Sequence, residues 1–223
     1  MIPSLKNEIV KIEITGGKFL NGALIDSSSE VVVIFDGKKF VYVPFEHIQT
    51  LEKDFDNEDN IQQPTETPSI DSKINNNDMT IAKILSQAKG MDVEIYVTSN
   101  KSLPGRISAI MDDYFVFQSH IYQTIFISNN HLKWLIPYSE QQLPYGLTKE
   151  ELLIQTNNQQ PYPSNFYLQI EQLKNKLVVI NFGEKYTQIG KIKNVNRKLV
   201  ELVLADSRSV YVNTPHIKTI SSV

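Results

Sequence analysis

Cysteine is missing from this 223-residue sequence. That excludes disulfide cross-links and thiolate metal sites, so the fold has to hold by packing alone. Long apolar runs are missing too. None approaches the roughly 20 residues a membrane-spanning helix needs, and the opening Met1–Asn7 lacks the apolar stretch behind a basic start that marks a secretory signal. The protein is accordingly read as soluble and made in the cytosol. The Gly-rich phosphate loop, Gly-x-Ser-x-Gly and His-Glu-x-x-His are all absent. The acidic pairs Asp112-Asp113 and Glu150-Glu151 are adjacent in sequence, so they do not converge on one point as a catalytic dyad must. They read as a hairpin turn and the first turn of a helix. No enzyme chemistry, cofactor or metal site is expected.

What is present supports a packed fold. The apolar fraction of 41% is ordinary for a globular protein. The net charge of −3 is unevenly spread: residues 54–79 carry one Lys/Arg against seven Asp/Glu, and residues 166–223 carry nine against four. A moderate basic bias of this kind is compatible with polyanion binding, but it contains no run of Lys/Arg.

The strongest signal is a repeat. Three segments open with the alternating apolar pattern of a half-buried strand: Val10–Ile14, Val93–Val97 and Val178–Phe182. Twelve residues after each first Val stands a glycine, Gly22, Gly105 or Gly190, and an apolar residue follows two further on, at Leu24, Ile107 or Ile192. Further strands are expected at Val31–Phe35, Tyr114–Phe117 and Leu199–Leu204. Asp36-Gly37 is a hairpin signal. The triplets Val41-Tyr42-Val43, Ile125-Phe126-Ile127 and Val210-Tyr211-Val212 have the β-branched and aromatic character strands prefer. Each leads to a histidine, His47, His131 or His216, at 25, 26 and 26 residues from its glycine. Five short strands in so small a unit are expected to close into a small barrel.

Helix punctuation precedes two copies. Asp78 or Thr80 can cap a segment through Ile81, Ile84, Leu85 and Ala88, ending at Gly90. Ser164 or Asn165 can cap another through Phe166, Ile170 and Leu173, ending at Asn175. Copy one has room for no more than a turn around Leu5 and Asn7. The expected organisation is a barrel over 1–53, a flexible acidic linker over 54–79, a barrel over 80–139, a connector over 140–165 and a barrel over 166–223. The linker predicts a freer first copy, with packing between the second and third. In the connector, Thr148–Glu151 is a capping box ahead of Leu152–Ile154.

The recurring histidine is the obvious candidate for metal or acid–base chemistry. Each one lies in a different copy without a second ligand nearby, so it reads as a turn residue. Lys191, Lys193, Arg197 and Lys198 on one hairpin are the candidate nucleic-acid contacts, with Lys191 and Lys193 placed on one face by alternation. Trp134, between Leu132 and Leu135, is the candidate outward-facing interaction residue.

Helix, bent strands and a tight turn before the last strand together resemble the Sm-like or SH3-like class of small barrels. The thrice-repeated Val-Tyr-Val-x-x-x-His-Ile-x-x-Ile, closest in Tyr211-Val-Asn-Thr-Pro-His216-Ile-Lys-Thr-Ile220, resembles the N-terminal three-repeat region of spore coat protein B from endospore-forming Bacillaceae. Gly16-Gly17 before Gly22 is similar to that family's Gly-Gly pair. Copies two and three depart from it, with Ser99-Asn100 and Gly183-Glu184 nearby, and the family's Ser/Lys/Arg-rich tail is not found in this sequence. The fold class implied is mainly β, three tandem five-stranded Sm-like barrels with short helices before the second and third. The role implied is a structural component made in the mother cell and deposited in the spore coat, assembling with other coat proteins or with itself through edge strands. An Sm-like RNA-binding adaptor is the alternative, although the Asp-x-φ-Met-Asn and Ile-Arg-Gly elements of Sm-type RNA pockets are lacking.

Overall fold

A computed structural model describes residues 3–70, 79–97, 102–139, 143–148, 151, 161–182, 184 and 188–223. Among them are fifteen antiparallel strands and two α-helices. The first copy supplies β1 (Ile9–Ile14), β2 (Lys18–Ser27), β3 (Val31–Phe35), β4 (Phe40–Pro44) and β5 (Ile48–Lys53). The second supplies β6 (Asp92–Tyr96), β7 (Leu103–Ile110), β8 (Tyr114–Ser119), β9 (Gln123–Ser128) and β10 (Trp134–Pro137). The third supplies β11 (Leu177–Ile180), β12 (Gln188–Val195), β13 (Leu199–Val203), β14 (Ser209–Asn213) and β15 (Thr219–Ser222).

The chain divides into two compact units, one of residues 1–95 with 133–146 and the other of residues 96–132 with 147–223. In the first unit β10 pairs with β4, and the order continues β4-β3-β2-β1-β5. In the second the order is β14-β13-β12-β11-β15-β9-β8-β7. The first and third copies therefore share one arrangement, in which the first strand lies between the second and the fifth.

Local chemistry explains the repeat. A Cβ added to Gly22 would lie 2.8 Å from the Phe35 carbonyl oxygen, and one added to Gly190 would lie 2.8 Å from that of Val203. At Gly105 the Gln118 carbonyl occupies the corresponding place. The glycine recurs because the next strand's backbone passes where a side chain would stand. Just beyond it the register shifts in all three copies, between Leu24 and Asp26, Ile107 and Ala109, and Ile192 and Asn194. Such a bulge bends a strand and increases its twist. Each histidine ends a 3-10 turn, at Phe45–His47, Asn129–His131 or Thr214–His216, which links the fourth strand of its copy to the fifth.

The helices follow their caps. Helix α1 (Ile81–Ala88) begins where Thr80 accepts a hydrogen bond from the Lys83 N–H, and it buries Ile84, Leu85 and Ala88. Helix α2 (Phe166–Gln172) begins where Asn165 accepts from the Leu168 N–H, and Asn175 beyond it has φ +69°. The acidic pair Asp112-Asp113 precedes β8 as a turn, and Asp113 also accepts from the Phe166 N–H at 2.7 Å. Thr148 and Glu151 exchange capping-box hydrogen bonds. Glu150, the Leu152–Ile154 segment, the alternative cap Asp78 and the residues Ser99, Asn100 and Gly183 lie outside the described residues.

Two expectations need correction. The segment expected as a free tether packs over its described part, 54–70. Ile61 and Ile70 are buried, the Tyr42 hydroxyl donates to the Ile70 carbonyl at 2.9 Å, and Gln63 donates to the Asn7 carbonyl at 2.7 Å. Nor does the first copy stand apart, because its β4 pairs with β10 of the second copy. Ile61 and Ile70 are buried in a stretch whose other large apolar residue, Phe55, is exposed, and average composition hides such isolated contacts.

Candidate functional site

The most distinctive geometry lies where one copy meets the next. In the first unit Leu135 of β10 stands opposite Tyr42 of β4. In the second, Ile220 of β15 stands opposite Phe126 of β9, and Thr219 opposite Ile127. Tyr42 and Phe126 are the central residues of their triplets, while Leu135 and Ile220 hold the same position after their histidines. The fourth strand of one copy thus joins the fifth strand of the next twice, in one register.

Side chains interlock across both junctions. Trp134 and Ile136 of β10 pack against the first copy's core of Val10, Ile12, Leu24, Ile34 and neighbouring residues. Lys133 donates to the Thr15 carbonyl at 2.6 Å. Lys39 lies 3.3 Å from Glu94 and 5.1 Å from the centroid of the Tyr138 ring, and the Tyr138 hydroxyl donates to Glu94 at 3.2 Å. Burial, then the Glu94 charge, pushes the Tyr138 hydroxyl above its ordinary range, so it stays a donor. In the second unit Phe126, with Tyr114 and Val116, joins the third copy's core of Val178, Ile180, Leu202 and Ile220. The Ser128 N–H donates to the Lys218 carbonyl at 3.1 Å, and His131 Nε2 donates to the Pro215 carbonyl at 3.0 Å.

The three histidines have different surroundings. His47 is buried, with Nδ1 3.2 Å from Thr15 Oγ1, and its carbonyl accepts from the Thr15 N–H. His131 is half-buried, and burial first, with Lys218 and His216 adding, lowers its pKa against the raising influence of the Pro215 bond and Glu184. His216 is exposed. No group of three or more His, Cys, Asp or Glu among the described residues is placed to hold a metal.

The basic residues singled out in the sequence lie on the hairpin of β12 and β13. Lys191, Lys193, Arg197 and Lys198 are all exposed. Lys191 and Lys193 are exposed on either side of the buried Ile192, and Lys193, beside the register shift, meets Glu201 at 2.8 Å. Trp134 is half-buried against the first copy's core rather than facing solvent. An open cleft of about 490 Å³ in the second unit is lined by Gln123, Thr124, Gln169, Gln172 and Lys176 among others, a polar set with no acid–base pair. Sequence reasoning missed Tyr42 and Phe126 as junction residues. Their signal was the triplet's central aromatic, which read as core.

No helix among the described residues is long and apolar enough to cross a membrane. A family model described as the YwrJ third domain matches residues 165–220, which include α2, β11 to β14 and the first half of β15. The protein of Bacillus subtilis (strain 168) described as "Uncharacterized protein YwrJ" is 33% identical over 222 residues, an overlap covering 96% of this chain and 95% of that protein. With identity of that degree along nearly the whole length of both proteins, the chain belongs to the YwrJ family.

Proposed function

We propose that this protein is a structural component of the bacterial spore coat or outer spore layers, and that its three copies are Sm-like small barrels which assemble edge to edge. The observation that carries the reading is the repeated junction: the same strand pair in the same register joins neighbouring copies in both units. Main-chain pairing at a sheet edge provides affinity, and the side chains facing the partner provide selectivity. Support for closed copies comes from the first strand lying between the second and fifth, and from the bulge after each glycine, a device that curves sheets. The resemblance to the three-repeat region of spore coat protein B supplies the cellular setting, and a relative in Bacillus subtilis accords with it.

A fluorescent fusion followed through growth and sporulation tests this. The expected result is signal confined to sporulating mother cells and then to the outer spore. Uniform signal in vegetative cells would overturn it. The second reading, an RNA-binding adaptor, draws on the exposed Lys191, Arg197 and Lys198. It requires a salt-sensitive shift of single-stranded RNA that Lys191→Ala with Lys193→Ala abolishes.

A further inference from the structure

The fourth strands of the three copies are not equally covered. Tyr42 is 1% exposed and Phe126 is 6% exposed, each against the fifth strand of the next copy. Their counterpart Tyr211 on β14 is 62% exposed. The fifth strands mirror this. Leu135 and Ile220 are buried, whereas their counterpart Leu51 on β5 is half-buried, and Thr50 is exposed where Thr219 is buried. Among the described residues, β14 and β5 each have a hydrogen-bonded strand on one side alone. The chain therefore carries one uncovered edge of each type that its own junctions bring together.

We propose that β14 of one molecule pairs antiparallel with β5 of a second copy, in the register of the internal junctions. The proposal deepens the assembly reading and rests on it, naming the partner as this same chain. Carrying the register over sets Tyr211 opposite Leu51, Val212 opposite Thr50 and Asn213 opposite Gln49. The Asn213 N–H then donates to the Gln49 carbonyl as Ser128 does to Lys218. The same register sets Arg208 opposite Asp54, a cation against a carboxylate, at the position where Lys39 meets the Tyr138 ring. His216 becomes covered as His131 is, with the Glu46 carbonyl in the place of the Pro215 carbonyl. The two edges differ from each other, so the contact is head-to-tail and can close into a ring or extend as a filament.

The absence of cysteine makes the register measurable in the full-length protein. Tyr211→Cys and Leu51→Cys are introduced into separate molecules, mixed and oxidised. Directly opposite residues in an antiparallel ladder lie about 4.5–5.5 Å apart at Cα, within the span of a disulfide. The expected result is a covalent dimer from this mixture and little from Tyr211→Cys mixed with the out-of-register Phe55→Cys. Sedimentation equilibrium of the wild type is expected to show association, and Tyr211→Glu, at an exposed position, to weaken it by about tenfold or more, as loss of an aromatic anchor does. A wild type that stays monomeric at its highest soluble concentration overturns the proposal, and so does cross-linking no better than the out-of-register control. If the fusion protein still reaches the outer spore in either case, assembly stands and its partner is another protein.

Discussion

Tyr42 and Leu135 face one another across the β4–β10 ladder, 93 positions apart in the chain, and Tyr42 also reaches away from the ladder to donate its hydroxyl to the Ile70 carbonyl. One side chain thus ties together a copy junction and the acidic segment. Tyr42→Phe keeps the ring and removes the hydroxyl, so the junction persists while the Ile70 carbonyl loses a donor. The expected cost is about 1 kcal/mol, read as a lower urea midpoint together with faster proteolysis between 54 and 70. Unchanged proteolysis would show that the hydroxyl does not anchor the segment.

Gly190→Ala places a methyl group 2.8 Å from the Val203 carbonyl oxygen and 3.2 Å from Leu202 Cβ. Strand backbone cannot swing aside as a flexible side chain can. A loss of about 1–3 kcal/mol is expected from this overpacking, measured by thermal unfolding, with Gly22→Ala behaving alike against Phe35. A neutral Gly190→Ala would mean that the glycine serves something other than close approach.

Asp113→Ala tests the structural role of the acidic pair. Its carboxylate accepts from the Phe166 N–H at the start of α2. Removing it leaves an orphan donor at the first turn, beside the Asn165 cap that remains. The expected loss is about 1 kcal/mol, seen as earlier hydrogen exchange of the α2 amides, and Asp113→Asn should recover part of it. Equal exchange in wild type and variant would remove Asp113 from the helix start.

His131 makes the second junction sensitive to acid. Burial holds its folded-state pKa below the ordinary value of 6.5. The unfolded chain therefore binds a proton more readily, and this contribution to stability is present above pH 6.5 and lost as pH falls through that value toward the lower folded pKa. Lys218 and His216 reinforce the depression, while Glu184 and the Pro215 bond oppose it. His131→Gln should flatten the dependence of the unfolding midpoint between neutral and mildly acidic pH. An NMR titration placing His131 at or above 6.5 would contradict the prediction.

Much of the local architecture was legible without coordinates. Thr80 and Asn165 cap the helices expected of them, β3 spans Val31–Phe35 as read, and all three histidines end turns before the last strand of a copy. Each of these depends on residues a few positions apart. The bulge between Ile192 and Asn194 was not legible, because a bulge is a relation between two strands and no single residue of one strand announces it. Trp134 was legible as unusual but not as a side chain packed on another copy's core.

The sequence by itself determined the repeat, its strands and caps, and the glycine and histidine that punctuate each copy, because strand periodicity, capping and turns arise from near neighbours. Tertiary structure alone decided which edges are covered. Val41-Tyr42-Val43 and Val210-Tyr211-Val212 are the same tripeptide, yet Tyr42 is buried and Tyr211 is 62% exposed. Nothing within either triplet distinguishes them. The difference comes from β10, a strand distant in sequence that lies against β4, while β14 has no such neighbour among the described residues.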